Sequence, residues 1–245
     1  MVGGLVLGLG LALGLGALGV ATSGCGILSS DIASISFDLP ARHYVFDTAV
    51  WKLPAGTLPS IPCTSSDICC TLAQQLVGYD CATNPALICD TTAPPSTCAV
   101  SIPVETPPQT IDLKMQVPQL ASFGSSQSLA NVSISQIQYD VTSTLNRELP
   151  PVVLFLAPAG VTSTSDPQAH KFGTVPATPA AANLTGANVM LEPDAGATFS
   201  SYAYHFGTPF QFLGRATVVI RGGDSTPTGS VDITVRGKVS AKPNL

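Results

Sequence analysis

Charge is scarce in this chain. Only 10% of its 245 residues are Asp, Glu, Lys or Arg, against roughly 25% in ordinary globular proteins. Ten Lys and Arg face fifteen Asp and Glu, for a net charge of -5. No basic surface is therefore present on which a nucleic-acid backbone releases its counterions, and nucleic acid is excluded as an expected partner. With 45% hydrophobic residues, a disordered chain held open by self-repulsion is excluded as well. Histidine is limited to His43, His170 and His205, and no two stand at the spacing of a metal-binding pair. Glutamate is limited to Glu105, Glu148 and Glu192. There is no G-x-S-x-G nucleophile elbow and no glycine-rich phosphate loop. Asp166 and Asp194 lie in polar segments that do not follow the calcium-loop pattern. No catalytic residue, metal ligand or cofactor is assigned. The enzymatic alternative is a hydrolase whose Ser/His/Asp or paired-carboxylate site is assembled from distant loops.

Charge is absent altogether at the start. From Val2 to Ala21 only Val, Gly, Leu and Ala occur, and the first charged side chain is Asp31. A run of about 20 apolar residues is membrane-directed, on the border between a spanning helix and a long export signal. Glycine at positions 3, 4, 8, 10, 14, 16 and 19 lowers helix propensity and disfavours a permanent span. The run ends in Thr22-Ser23-Gly24-Cys25-Gly26. These residues resemble the lipobox of bacterial lipoproteins, with Thr22 where leucine is usual. The resemblance covers the first 25 residues only. It implies a signal peptide at 1–24, diacylglycerol on Cys25, and a tether at 25–34. Gly26 rather than Asp after the cysteine resembles the pattern of outer-membrane sorting. The alternatives are an ordinary signal cleaved near Ala21 or Ser23, or an uncleaved anchor.

Cysteine is missing from the last 147 residues. Of the seven present, removing Cys25 leaves Cys63, Cys69, Cys70, Cys81, Cys89 and Cys98, an even set within 36 residues. Export makes disulfides the default, and zinc is the weaker alternative because no C-x-x-C pair or nearby histidine occurs. The vicinal Cys69 to Cys70 bond would need a strained ring, and the spacing does not choose among the other pairings. Ser65, Ser66 and Asp67 offer helix caps. Ile68, Leu72 and Leu76 at four-residue intervals then predict a short helix ending at Gly78. Its cysteines at 69 and 70 point about 100° apart, so they can staple two different neighbours. A unit this small depends on such staples in place of a core.

The rest alternates with period two, which predicts strands. Ile35, Phe37 and Leu39 form one such face, and Ile111, Leu113, Met115 and Val117 another. Between Asn131 and Val141 the phase slips near Ser135 or Gln136, which predicts a β-bulge. Val152 to Ala157 is continuously apolar between prolines and reads as a buried central strand. Tyr202, Tyr204 and Phe206 alternate again, placing His205 on a strand. Ala216, Val218 and Ile220 facing Val231, Ile233 and Val235 predict a terminal hairpin. Residues 160–188 read as a second, polar excursion. Trp51, the lone tryptophan, reads as a core or domain-junction residue.

These features predict a mainly β protein: an antiparallel β-sandwich over residues 35–245, with the cysteine-rich insert at 63–98. A two-domain split near Pro107-Pro108 is the alternative. The functional expectation is a membrane-anchored envelope lipoprotein acting as a structural or binding module, secreted if it is not lipidated. The membrane is the expected partner through Cys25, with a possible protein partner in the envelope. An adhesin or inhibitor that uses the cysteine-rich insert is a further alternative to the hydrolase.

Overall fold

Period-two alternation of apolar and polar side chains gives each strand one face to bury, and two sheets satisfy that need by facing each other. The computed structural model describes residues 34–51, 59–77, 80–82, 86–92, 94–121 and 128–244. Residues 33–245 cluster as one compact unit. A four-stranded antiparallel sheet contains β1 (Ile35–Asp47), β11 (Ser230–Asn244), β5 (Ser128–Ser143) and β8 (Asn183–Asn188), in that order. The opposing sheet runs in the order β2 (Ala86–Asp90), β3 (Thr97–Glu105), β10 (Phe210–Arg221), β6 (Val152–Pro158), β7 (His170–Val175) and β9 (Met190–Leu191). A short seventh strand, β4 (Gln109–Ile111), also pairs with β10. β3 and β4 thus hold the same strand on either side of Pro107-Pro108, so no domain boundary falls there.

The core lies between the sheets. Phe37, Leu39, Tyr44 and Phe46 of β1 meet Val231, Ile233, Val235 and Val239 of β11, with Ile137, Tyr139 and Val141 of β5 beside them. Val152, Leu154 and Leu156 of central strand β6, with Phe210, Phe212, Ala216, Val218 and Ile220 of β10, close it from the other side. Trp51 is buried in this core, in the 3-10 turn Thr48–Trp51 that follows β1. The bulge in β5 is present. Gln136 pairs with Lys238 and Ile134 with Val239, so Ser135 is the extra residue, and its hydroxyl donates to the Lys238 carbonyl at 3.0 Å. Gly229 precedes β11 with φ +109°, and a Cβ there would lie 2.4 Å from the Thr144 carbonyl oxygen. Only glycine fits both constraints.

Four expectations are corrected. Ala216 to Ile220 and Val231 to Val235 do not form a hairpin. β10 and β11 belong to different sheets, so these residues face each other through the core and the connecting loop crosses between layers. Residues 160–188 are not a simple excursion, because they include β7 in one sheet and β8 in the other. Of the second predicted strand only Ile111 is paired in a sheet. Leu113–Gln116 form a one-turn helix, α2, followed by α3 (Pro118–Ala121). Tyr202 lies in helix α4 (Ala195–Ala203), and Tyr204 to Phe206 follow in a turn.

The connections give the sandwich two distinct ends. The chain enters β1 at Ser34, and Ile35 is paired with Ala241. Near that end Lys242 is opposite Ala130, and Leu129 donates its amide to the Tyr204 carbonyl at 3.1 Å. β10 also begins there, at Phe210 beside Ile111. At the other end β1 runs into Trp51, β10 finishes at Arg221 beside Ala99, and the cysteine-rich insert connects β1 to β3. The two ends are on the order of 40 Å apart, from about twelve residues of strand at roughly 3.3 Å each.

Candidate functional site

The insert is built on α1 (Ser66–Val77), where an acidic residue, Asp67, occupies the first turn and complements the helix dipole. The Ser66 hydroxyl accepts the backbone N–H of Cys89 at 3.2 Å, tying the start of the helix to β2. Cys69 faces inward and is wholly buried, while Cys70 sits on the flank, half-buried. The structure selects the pairing that spacing left open: Cys63 to Cys89, Cys69 to Cys98 and Cys70 to Cys81. Cys69 therefore staples the helix to β3, and Cys70 staples it to the segment that follows. The vicinal pair bonds to two different partners, as the angular separation of its side chains predicts.

Cys89 and Cys98 are directly opposite each other on β2 and β3, yet each bonds elsewhere. The sulfurs of Cys63, Cys69 and Cys98 lie within 4.8 Å of one another. Such a cluster has the compactness of a soft-metal site, but each of these sulfurs is already committed to a covalent bond, and metal binding requires thiolate. Ile61, Cys69, Ala73 and Cys98 make a small buried cluster separate from the main core, with Leu72 and Leu87 packed against it. Three disulfides in so small a core place the protein outside the reducing cytosol.

The insert is locked to the end of β10 by a buried carboxylate. Asp90 accepts the Thr92 hydroxyl at 2.7 Å and the Thr92 amide at 2.9 Å, and it pairs with the Arg221 guanidinium. Arg221 also donates to the Thr92 hydroxyl oxygen at 2.7 Å. Gly222 then runs against the incoming chain, where a Cβ would lie 2.5 Å from the Ser60 Cα. The hydrogen bonds from Thr92, first the hydroxyl and then the amide, together with Arg221, hold the Asp90 carboxyl down to about 2. An unfolded aspartate titrates near ~3.9. The folded state thus favours the charged form, and the stability this confers is complete above about pH 4 and lost as pH falls towards 2. In urea titrations, Asp90→Asn is expected to unfold more readily than the parent at neutral pH. The gap between the two should narrow steadily from pH 4 to pH 2, and a constant gap would refute the assignment.

The outer face of the four-stranded sheet holds an open groove of about 500 Å³, lined in part by His43, Asp140, Asn183, Asp232 and Thr234. His43 Nδ1 is 3.0 Å from the Thr234 hydroxyl and 3.9 Å from an Asp232 carboxylate oxygen. Asp140 is engaged by the Gly186 amide at 2.8 Å and by Arg236 at 2.5 Å. The three histidines belong to separate places: His43 to β1, His170 to β7 in the other sheet, and His205 to the turn after α4. The groove brings His43 together with Asp140, Asp232 and Thr234 but with neither of the other two histidines. Asp166 folds back onto the Gln168 amide at 2.8 Å, and Asp194 caps α4 by position without a side-chain bond.

Arg42 and Tyr44 escaped the sequence reading. Both follow the Leu39/Arg42 register shift in β1. Arg42 reaches Gln116 on α2 at 2.6 Å, and among the described residues neither its buried Nε nor the buried Tyr44 hydroxyl has a hydrogen-bond partner. Burial pushes the Tyr44 phenol well up, with the Arg42 guanidinium opposing, and burial lowers Arg42 itself. Cys25 lies outside the described residues. Comparison with protein-family models and with curated proteins returns no match.

Proposed function

We propose that this chain is an envelope lipoprotein, anchored to a membrane through acylated Cys25, whose β-sandwich is a binding module that presents the disulfide insert at the end away from the anchor. The observation that carries this reading is the polarity of the fold. The described chain starts at Ser34 at one end, and the six-cysteine insert occupies the other. The tether from Cys25 to Ser34 spans at most about 30 Å when extended, so the body stays near the bilayer and cannot stand on it with the insert end down. A rigid, stapled unit suits recognition because little conformational freedom is lost when it docks. Two or more acyl chains give stable attachment where a single chain is marginal. Among the described residues, no helix is long and apolar enough to cross a membrane.

Intact-mass measurement of protein extracted from membranes tests the anchor. Cys25 is expected as the first residue, carrying a diacylglyceryl group, and Cys25→Ser is expected to abolish that modification and release the protein from washed membranes. A lipid-free polypeptide beginning at Thr22 or Gly24 would overturn the reading.

A further inference from the structure

We infer that the Ser34 end of the sandwich is a membrane-facing surface that rests on phospholipid headgroups through Tyr204 and Met115, flanked by Lys114 and Lys242. The inference builds on the proposed anchor at Cys25 and adds how the body sits. Met115 is 81% exposed on α2 and Tyr204 is 42% exposed in the turn after α4. Met115 thus presents its thioether to solvent on a helix whose neighbouring Leu113 is buried.

The two side chains belong to one region. Leu129, at the start of β5, bonds the Tyr204 carbonyl, and two residues later the Phe206 carbonyl accepts the Lys114 amide at 3.3 Å. Lys242, exposed, is opposite Ala130 on the same edge of the fold, next to Ala241 and its partner Ile35. The first described residue, Ser34, therefore emerges beside this patch. Asp112, a nearby acid, accepts the Met115 amide at 3.0 Å.

Reach decides which surface meets the bilayer. The tether, at most about 30 Å long, is shorter than the sandwich axis of roughly 40 Å, so the body cannot stand on the bilayer with its insert end down, and the Ser34 end stays within tether reach of the headgroups. The chemistry fits an interface. A tyrosine ring places its apolar body in the headgroup layer with the hydroxyl in water, and lysine stems extend to lipid phosphates.

Trp51 provides an internal control, because the only tryptophan of the chain is buried in the turn at the opposite end. Native lipidated protein, Tyr204→Trp and Met115→Trp are each placed in vesicles of phosphatidylethanolamine and phosphatidylglycerol, with and without bromine on the upper acyl chain. The parent emission is expected to be unchanged by bromine, and each variant is expected to lose the emission of its added indole. Lipidated, vesicle-bound variants that both keep full emission would overturn the surface, as would quenching of Trp51 in the parent. Protein recovered without the diacylglyceryl mass on Cys25 would remove the anchor and the surface together, which distinguishes the two failures.

Discussion

Phe172→Ala is expected to lower the free energy of unfolding by about 3–5 kcal/mol, read as an earlier denaturation midpoint at unchanged slope. Phe172 is wholly buried on β7 and joins two elements that are not adjacent in sequence. Its ring meets Phe212 of β10 edge-on at 5.3 Å and Phe199 of α4 at 6.5 Å. Phe199 in turn meets Phe210 edge-on at 6.0 Å, and Tyr202 stacks on Phe210 at 5.4 Å. Removing the central ring leaves a cavity that strands of a hydrogen-bonded sheet cannot close, and it forfeits aromatic contacts of about 0.5–1.5 kcal/mol per pair. Against a total stability of roughly 5–15 kcal/mol, the loss is a large fraction of the whole. Phe172→Leu, which keeps most of the volume, should recover much of it. Equal losses for the two substitutions would show that shape at this site matters less than the packing implies.

That aromatic cluster also marks where the sequence misleads. Tyr202, Tyr204 and Phe206 alternate like a strand, yet Ala195, Phe199 and Ala203 are the residues α4 buries, at four-residue spacing. The helical period was present, preceded by Asp194, but small alanines carry too little hydrophobic contrast to compete with three aromatics. At Leu113 the alternation was coincidental. The Asp112 carboxylate accepts the Met115 amide and closes a helical turn, which leaves Met115 in solvent. Local hydrogen bonding of this kind diverts a chain from extended structure in spite of its pattern. By contrast, β6, the bulge at Ser135 and the helix of the insert were legible, because each depends on residues adjacent in the chain. The false hairpin is different in kind. Alternation in β10 and β11 identifies which side chains face the core and carries no information on which sheet each strand joins. For the candidate site, the cysteine set was legible and its pairing was not, since pairing is fixed by where β2 and β3 meet α1. Arg42 gave no signal, because only the register shift after Leu39 turns it towards Gln116.

Removal of the Cys69 to Cys98 bond should uncouple the insert from the body rather than unfold the whole. This bond closes a span of 29 residues, for which loop entropy alone gives about 3.5 kcal/mol. The Cys63 to Cys89 bond interlaces with it and already restricts the same chain, so part of that entropy is retained and the measured loss should fall near the lower end of about 2–5 kcal/mol. Burial works in the other direction. Cys69 and Cys98 are 0% and 5% exposed and form half of the insert's small core, so Cys69→Ser with Cys98→Ser adds buried hydroxyls at a cost of about 1–3 kcal/mol each. Cys69→Ala with Cys98→Ala omits that penalty, and the difference between the two double variants isolates it. Removing Cys70 and Cys81 should cost less, since their bond spans only 11 residues and both are half-buried. In every case the β signal of circular dichroism should persist, because the main core draws nothing from these cysteines. Proteolysis of the 59–98 segment at a denaturant concentration that leaves this signal intact is the expected signature. Simultaneous loss of both would show that the insert and the sandwich fold as one cooperative unit, joined through Asp90, Arg221 and Gly222 more tightly than through sulfur.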